Sequence, residues 1–244
     1  MVIEQFLPGI EVSVFVLTNG KDYQIIGHAK DYKRIGEGDT GLNTGGMGCV
    51  TPVPFMNDAF MHEVEETIIK PTVSGLYKEE LIYNGFIFFG LINVEGKPFV
   101  IEYNCRMGDP ETEVVMPRLY TDIVGLFAAM DNGTLEDVNI AYNDGCFATV
   151  MAVSGGYPGS YEKNKVITIP PLSEGSGEAI VFHAGTKQDE AGNIVTNGGR
   201  VLAVTSQGNT LTAAVNQSKK ILEQISFEGM YYRRDIGYEF SKLI

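Results

Sequence analysis

The hydrophobic and polar positions at the start of the chain alternate in short runs that predict β-strands. Three such runs precede residue 30, at residues 2–7, 11–18 and 23–29. The first begins at Val2 with no loop before it, so we expect the chain to start inside a domain. Residues 30–54 follow neither the strand nor the helix period and hold six glycines. A loop of that length is uncommon unless it is functional, so we expect it to carry binding residues.

The middle of the chain combines helical patterns with a hairpin. One helical pattern starts at Asn57 or Asp58 and is kinked or restarted at Pro71. Further on, the pattern predicts a β-hairpin with strands at 86–94 and 99–104, and a helix at 111–130 that Pro117 kinks or divides.

A polar, turn-rich stretch at 141–145 predicts a domain boundary. Beyond it the pattern predicts short strands at 147–153, 179–183 and 200–205, and an amphipathic helix at 211–225. The whole pattern predicts two α+β domains built on antiparallel sheets, residues 1–140 and residues 141–244.

Composition narrows the classes of function. The net charge of −13 and only 18 scattered Lys and Arg residues argue against a nucleic-acid partner, which usually meets a basic face. No stretch approaches 18 apolar residues, so no membrane-spanning helix is predicted. The three cysteines are odd in number and show no CxxC spacing, which favours a reduced cytoplasm.

A carboxylate and an amide project from the second strand of the predicted hairpin. Strand alternation places Glu102 and Asn104, with Val100, on one face and Phe99 on the other. Mg²⁺ takes oxygen ligands of this kind and shares them with substrate phosphates. Arg106 follows closely and can steady the same phosphates. The alternative is that Glu102 and Asn104 only face solvent on an edge strand, because Glu-x-Asn is a weak signal.

The glycine-rich loop at 33–48 combines cations with a flexible backbone. Lys33 and Arg34 supply positive charge, and successive N–H groups between glycines can cradle an anion. Asp39 and residues 43–48 add polar contacts. The loop matches neither the GxxxxGK[ST] phosphate loop nor a strand-linked GxGxxG. A mobile surface loop is the alternative interpretation.

Two acidic segments complete the candidates. Asp109, Pro110 and Glu111 lie between the hairpin and a helix, where they can cap the helix or hold an ammonium group beside the metal. Glu4 and Glu11 lie on either side of a bend and can accept hydrogen bonds from an adenine amino group or ribose hydroxyls. By spacing alone, ordinary surface charge explains these two glutamates equally well.

Taken together, these segments resemble one family. They are residues 2–13, 31–48, 100–112, 155–159, 181–186 and 196–202. In this order they are similar to the phosphoribosylamine–glycine ligases, also called glycinamide ribonucleotide synthetases, which are ATP-grasp ligases of purine biosynthesis. The resemblance covers essentially the whole chain, and although each motif is modest, the combination is specific.

The resemblance implies an α+β fold: an ATP-grasp subdomain with an antiparallel sheet and helices in residues 1–140, followed by a small mixed α/β C-terminal domain in residues 141–244. It also implies that the family's N-terminal domain and first ATP-grasp subdomain are missing here, so this chain alone need not be active. Three positions depart from the family pattern: Gln5 replaces a second acid, Leu42 a proline and Met107 an aromatic residue.

The resemblance also implies roles for individual residues. Glu4 and the backbone of Leu7 would meet adenine, and Glu11 the ribose hydroxyls. Glu102 and Asn104 would bind Mg²⁺, with Mn²⁺ as an alternative, between the ATP phosphates. The implied catalytic residues are Lys33, Arg34, Asp39 and Arg106. The implied substrate site comprises Asn43, Thr44, Gly45, Gly46, Met47, Gly48, Asp109, Pro110 and Glu111.

The implied activity is ATP-dependent ligation of glycine to 5-phosphoribosylamine through glycyl phosphate, by a cytoplasmic monomer. Two alternatives stay open. One is another ATP-grasp carboxylate–amine ligase, and the other is a non-catalytic nucleotide-binding domain.

Overall fold

The computed structural model describes residue 3 and residues 5–81, 83–171 and 179–240. Glu4 lies outside the described residues. The elements in chain order are β1 (Ile10–Thr18), β2 (Tyr23–Asp31), β3 (Arg34–Gly36), β4 (Thr40–Asn43), β5 (Gly48–Thr51), α1 (Asp58–Val64), a π-helical segment (Glu65–Ile69), α2 (Lys70–Lys78), β6 (Gly85–Val94), β7 (Lys97–Asn104), α3 (Thr112–Arg118), α4 (Ile123–Asn132), β8 (Cys146–Val153), β9 (Ala179–His183), β10 (Thr186–Gln188), β11 (Ile194–Thr196), β12 (Arg200–Gly208) and α5 (Leu211–Leu222).

The first compact unit comprises Met1–Lys30, Val53–Gly108 and Leu119–Asn143. Its antiparallel strands follow the order β7–β6–β1–β2. Nearly the whole of β1 is buried, and Phe15 packs edge-on against Phe88 of β6 with ring centroids 5.3 Å apart. The β6–β7 hairpin confirms the strands predicted at 86–94 and 99–104.

The helices of this unit begin where the sequence predicts. Asn57 caps α1 by accepting a hydrogen bond from the Phe60 N–H, and Pro71 lies in the first turn of α2, which follows the π-helical segment directly. The Thr72 hydroxyl of α2 lies 3.5 Å from the Tyr103 hydroxyl of β7. This contact places the start of α2 beside β7, on the side of the sheet where Tyr103 lies.

The second compact unit comprises Asp31–Pro52, Asp109–Arg118 and Asp144–Ile244. Its antiparallel strands follow the order β5–β8–β12–β9. Helix α5 packs on β8 and β12, and Thr210 caps it by accepting a hydrogen bond from the Ala213 N–H. Part of the core is a cluster of buried apolar side chains: Met47, Met151, Val153 and Ala203.

Three predicted boundaries are corrected. Residues 30–54 were expected to lack strands but contain β3, β4 and β5. Strand β5 pairs with β8, about a hundred residues later in the chain, and no local sequence signal predicts this pairing. The described residues of the run at 2–7 are not in a strand, since β1 begins at Ile10. The helix predicted at 111–130 is two helices, and Asp122 caps the second by accepting from the Val124 and Gly125 N–H groups.

Within the described part of the chain, no helix is long and apolar enough to cross a membrane.

Candidate active site

The side chains of Glu102 and Asn104 meet near the end of β7. Asn104 Nδ2 donates a hydrogen bond of 3.2 Å to Glu102 Oε1. Glu102 is exposed and Asn104 is half-buried, so both are accessible from solvent. The hydrogen bond uses neither Glu102 Oε2 nor Asn104 Oδ1, so each of the two contacting side chains keeps an oxygen that this bond does not occupy.

A β-bulge explains why these two side chains, but not Val100, share this face. The pairing of β6 with β7 shifts between Gly90, opposite Glu102, and Leu91, opposite Val100. Ile101 is the extra residue, and its insertion reverses the alternation on the hairpin side of the bulge. The expectation that Val100 lies with Glu102 is therefore wrong, and Phe99 takes that face instead. Bulges commonly redirect side chains next to functional sites.

Gly90 leaves the space that the Glu102 side chain occupies. A Cβ atom built on Gly90 would lie 2.9 Å from Glu102 Cγ, closer than real Cβ atoms approach their neighbours. Gly90 of β6 is directly opposite Glu102, so a side chain at position 90 would clash with the Glu102 side chain and displace its carboxylate.

Glu11 projects from the same face of the sheet as Glu102. Ser13 of β1 is opposite Gly90, which is opposite Glu102, and directly opposed residues share a face. Glu11 is two residues before Ser13 and therefore points the same way. Ideal strand spacings separate the Cα atoms of Glu11 and Glu102 by roughly 12 Å.

The remaining predicted residues of this unit lie at the ends of strands. Leu7 is half-buried and precedes β1. Arg106 follows β7 on an exposed turn, and its Nη1 donates to the Met107 carbonyl oxygen over 2.8 Å. The guanidinium is therefore held near the end of β7, two residues beyond Asn104.

The donor atoms fit a divalent cation that brings most of its own ligands. Among the described residues there is no group of three or more His, Cys, Asp or Glu side chains that could enclose a metal ion. Glu102 and Asn104 offer two hard oxygen donors, which suits Mg²⁺ completed by phosphate oxygens and water.

In the second unit, the β3–β4 hairpin is anchored by a buried arginine. The Arg233 side chain has no exposed surface, and its Nη1 donates to Asp39 Oδ1 over 2.6 Å. The Asp235 carboxylate accepts two further hydrogen bonds from the same guanidinium, both 2.8 Å long. The guanidinium also lies over the Tyr32 ring, 5.3 Å from its centroid. Asp39, whose side chain is 38% exposed, is therefore an outer member of the ion-pair network around the buried Arg233 guanidinium.

The ion pair between Arg233 and Asp235 shifts the pKa values of both groups. Burial alone would raise the pKa of the Asp235 carboxyl, but hydrogen bonds from Arg233 and from the Gly38 N–H hold it below its ordinary value. Burial also opposes the charge on Arg233, yet the hydrogen bonds to Asp235 and Asp39 outweigh it and raise the pKa of the guanidinium. Asp235 and Arg233 therefore stay charged at neutral pH.

The cations of the loop are exposed, and hydrogen bonds order the backbone around them. Arg34 Nη1 donates to the Gly41 carbonyl oxygen over 2.8 Å. The Lys33 carbonyl oxygen accepts from both the N–H and the hydroxyl of Thr44, over 2.7 and 2.8 Å. Asn43 is exposed and pairs with Arg34 across the hairpin.

Arg200 joins the glycine-rich loop to the segment that follows β7 in the sequence. Its Nη1 donates to the Gly45 carbonyl oxygen over 2.6 Å and to the Asp109 carbonyl oxygen over 2.9 Å, and its Nη2 contacts Asp109 Oδ2 over 2.8 Å. Gly46 has a φ of +116°, and a Cβ atom there would collide with Pro110. Two segments that the sequence assigns to the substrate site are thus brought together.

Several neighbours of this contact are buried. Glu111 is buried, and Glu113 Oε2 is buried without a hydrogen-bond partner among the described residues. Burial, together with the nearby Asp109 carboxylate, raises the pKa of the Glu113 carboxyl. Met47 is fully buried in the core cluster, and Gly48 is buried in β5. The Met47 side chain therefore supports the loop from inside, and the substrate contact predicted at this position would come from its backbone.

Comparison with known families accounts for this arrangement. Residues 1–112 match the family described as phosphoribosylglycinamide synthetase, ATP-grasp (A) domain, and residues 147–239 match phosphoribosylglycinamide synthetase, C domain. The chain belongs to the phosphoribosylglycinamide synthetase family. The resemblance and the fold class predicted from the sequence are confirmed.

Curated members of the phosphoribosylglycinamide synthetase family are similar along almost the whole chain. A phosphoribosylamine–glycine ligase from Chlorobaculum tepidum is 48% identical over 237 residues, covering 97% of this chain and 56% of that protein. The ligase from Synechocystis sp. is 45% identical over 242 residues, covering 98% of this chain and 57% of its own length. The chain therefore spans little more than half the length of these relatives.

Solved structures agree. The crystal structure of phosphoribosylamine–glycine ligase from Thermotoga maritima matches with a TM-score of 0.85 and 36% identity, covering 95% of this chain and 56% of that one. The biotin carboxylase domain of the Hydrogenobacter thermophilus 2-oxoglutarate carboxylase, a complex with MgADP and bicarbonate, matches with a TM-score of 0.62. At 17% identity, and covering 93% of this chain and 48% of that one, it shows the fold alone.

Three residues that support candidate side chains, one in the first unit and two in the second, were not identified from the sequence. Arg200 lies in the Asn-Gly-Gly-Arg segment that contributes to the family resemblance, but nothing in its spacing connects it with Asp109, 91 residues earlier. Arg233 and Gly90 gave no signal of their own. An arginine followed two residues later by an aspartate, as at 233 and 235, is the only local hint of the network around Arg233.

Proposed function

We propose that this chain forms the metal- and nucleotide-phosphate-binding part of a phosphoribosylamine–glycine ligase. The proposed reaction joins glycine to 5-phosphoribosylamine at the cost of ATP, giving glycinamide ribonucleotide, ADP and phosphate in purine biosynthesis. The observation that carries the proposal is the contact between the Glu102 and Asn104 side chains on an accessible face that Glu11 shares.

The nucleotide would lie along this face. Glu11 is suited to accept hydrogen bonds from the ribose hydroxyls, with Leu7 and Glu4 toward adenine. Glu102 and Asn104, roughly 12 Å away by ideal strand spacings, would hold Mg²⁺ or Mn²⁺ against the phosphates. A bound cation would neutralise phosphate charge as the γ-phosphoryl group is transferred. A neighbour with a similar fold is a complex with MgADP, which favours ATP and Mg²⁺ in this proposal.

The proposed chemistry needs no covalent enzyme intermediate. A glycine carboxylate oxygen attacks the ATP γ-phosphorus, the bond to ADP breaks, and glycyl phosphate forms. The amine of phosphoribosylamine then attacks the glycyl carbonyl, phosphate leaves, and the amine loses its proton. Arg106, Lys33 and Arg34 would stabilise charge that develops on the phosphoryl group, and the glycine-rich loop would keep water from the acyl phosphate.

The second unit would shape the acceptor site. We propose that Asn43, Thr44, Gly45 and Gly46 form its loop side, with Asp109, Pro110 and Glu111 opposite them. Asp39 would act by holding the β3–β4 hairpin through Arg233. The monomeric state and the cytoplasmic location stay predictions.

The test is phosphate release from ATP by a ligase of the relatives' full length that carries this sequence. It is measured with glycine alone, with phosphoribosylamine alone and with both. We expect release to require both substrates and Glu102→Gln to lower kcat by about 10²–10³-fold, as for loss of other transition-state electrostatic contacts. Glu95→Gln, an exposed carboxylate in the turn of the same hairpin, is the matched control.

Two outcomes would contradict the proposal. Release that depends on another carboxylate, such as bicarbonate or formate, would assign the chain to a different ATP-grasp ligase. Binding of Mg-ATP without any turnover would favour a nucleotide-binding domain with no catalytic role.

A further inference from the structure

Both polar groups of the peptide between Gly45 and Gly46, its carbonyl oxygen and its N–H, are hydrogen-bonded. Its carbonyl oxygen accepts from Arg200 Nη1 over 2.6 Å, and its N–H donates to the Thr44 hydroxyl over 3.0 Å. The preceding N–H, that of Gly45, donates to the Tyr157 hydroxyl over 2.9 Å. The loop is therefore fixed at its tip as well as at its base.

The tip of the loop is made of glycines because the guanidinium lies directly against it. A Cβ atom on Gly45 would lie 2.9 Å from Arg200 Cζ, and one on Gly46 would collide with Pro110. Side chains at either position would force the loop away from Arg200 and from the Asp109–Pro110 turn. The two glycines thus allow a close backbone contact, the usual reason for such a pair.

Only an arginine can make this set of contacts. Arg200 places two N–H groups on carbonyl oxygens of two different segments and a third on a carboxylate. The planar fork of a guanidinium supplies such donors in fixed geometry, whereas a lysine ammonium is a single point charge on a flexible stem. The Arg200 side chain is 19% exposed and the Asp109 side chain is 57% exposed, so solvent reaches the ion pair and the two bonds to carbonyl oxygens complete the contact.

We infer that Arg200 is a positioning residue, which fixes the glycine-rich loop on the Asp109–Pro110 turn in the form that receives the acceptor substrate. The effect of Arg200 on catalysis rests on the proposed function, whereas its contacts with the loop and the Asp109–Pro110 turn do not. Through the loop, Arg200 sets how well water is excluded from the acyl phosphate. The residue touches neither ATP nor metal in this account, so its loss should leave the KM for ATP unchanged.

The geometric part is tested on the 244-residue chain by hydrogen exchange of single amides. The readout is the exchange rate of the Gly46 N–H divided by that of the Met47 N–H, which donates to the Tyr32 carbonyl oxygen and does not depend on Arg200. We expect Arg200→Met to raise this ratio about tenfold or more, since hydrogen bonds to charged groups are of that strength. Arg200→Lys should recover little of it.

Lys187→Met is the matched control, because Lys187 is an exposed cation on β10 of the same unit. Its ratio should equal that of the unchanged chain. Since a general loss of stability accelerates both amides, it leaves the ratio unchanged, and an unchanged ratio in Arg200→Met overturns the inference. If Arg200→Met does not fold, Arg200→Lys replaces it in the test. A raised exchange ratio then supports the inference, and an unchanged ratio overturns it.

The functional part is tested in a full-length ligase that carries this sequence. Arg200→Met should raise the KM for phosphoribosylamine and the fraction of phosphate released without ligation, at an unchanged KM for ATP. Equal coupling in the variant and the unchanged enzyme would contradict the role in positioning. If the unchanged enzyme shows no ligation, the proposed function is contradicted instead. The hydrogen-exchange experiment does not depend on that outcome, because it tests only the contacts of Arg200.

Discussion

Arg233 Nη1 donates a 2.6 Å hydrogen bond to Asp39 Oδ1, joining two residues that lie 194 positions apart. This contact attaches the β3–β4 hairpin to the C-terminal part of its own unit. Asp39 also accepts from the Tyr238 hydroxyl over 3.0 Å. The aspartate that the sequence places among the catalytic groups is therefore held by a buried cation.

Removal of that cation should unfold the chain more easily. Arg233→Met leaves Asp39 and Asp235 without their partner, and breaking a buried ion pair in this way costs about 3–5 kcal/mol. Urea denaturation at neutral pH measures the loss of unfolding free energy. Arg234→Met, a change at the exposed neighbouring residue, serves as the control and should cost far less. Equal losses in the two variants would contradict the network.

The same network predicts how stability depends on acid. The pKa of Asp235 is lower in the folded chain than the ordinary value, so its contribution is present above about pH 4 and is lost as pH falls through the folded-state pKa. Asp235→Asn should therefore be less stable than the unchanged chain at pH 7. The difference should narrow below pH 4 in denaturation experiments. A difference that stays constant with pH would show that the charge on Asp235 is unimportant.

Glu113 predicts the opposite dependence. Burial raises its pKa in the folded chain, so the folded state binds the proton more tightly and stability falls as pH rises above the ordinary value of 4.5. Glu113→Gln should raise the unfolding free energy at pH 7 and flatten the decline between pH 4.5 and pH 7. Glu190→Gln, an exposed acid of the same unit, should do neither. Lower stability of Glu113→Gln at pH 7 would refute the assignment.

Gly46→Ala should be far more costly than Gly38→Ala. Both glycines have positive φ, +116° and +64°, but a Cβ atom on Gly38 meets nothing within 4 Å while one on Gly46 collides with Pro110. We expect Gly38→Ala to cost about 1–2 kcal/mol from backbone strain alone, and Gly46→Ala roughly 3–5 kcal/mol once overpacking is added. Thermal unfolding of both variants makes the comparison. Equal costs would mean that the Pro110 contact does not constrain the loop.

Gly90→Ala should weaken the metal site without changing a donor atom. The new methyl group must displace the Glu102 side chain, because a Cβ atom at Gly90 lies 2.9 Å from Glu102 Cγ. In a full-length ligase we expect the Mg²⁺ concentration for half-maximal rate to rise about tenfold, equivalent to 1.4 kcal/mol. Gly75→Ala is the control, since its Cβ would meet nothing within 4 Å in α2. Unchanged Mg²⁺ dependence in Gly90→Ala would contradict this role.

Local signals predicted the part of the site that lies on the hairpin. Alternation along β7 and the turn before it were enough to place Glu102 and Asn104 together. The same rule failed at Val100, because a β-bulge inserts one residue and reverses the alternation. No residue of the strand predicts this bulge from the sequence. Period-two reasoning holds only as far as the pairing stays regular.

The second unit was less predictable because its contacts join distant segments. Arg200 is 155 positions from Gly45 and 91 positions from Asp109 in the sequence, so the local sequence around each residue does not predict its contact with the others. The glycines of the loop suggested an anion cradle, whereas two of them instead admit a guanidinium and a proline. The family resemblance identified these segments as important, but their geometry required the fold.

The most direct test of the account is the binding of Mn²⁺ in the presence of ATP, followed by electron paramagnetic resonance. It compares a full-length ligase that carries this sequence with its Glu102→Gln and Glu95→Gln variants. The account predicts that Glu102→Gln weakens Mn²⁺ binding at least about tenfold, by 1.4 kcal/mol or more, while Glu95→Gln binds like the unchanged enzyme. Equal Mn²⁺ affinity in all three proteins would contradict the claim that Glu102 and Asn104 hold the metal.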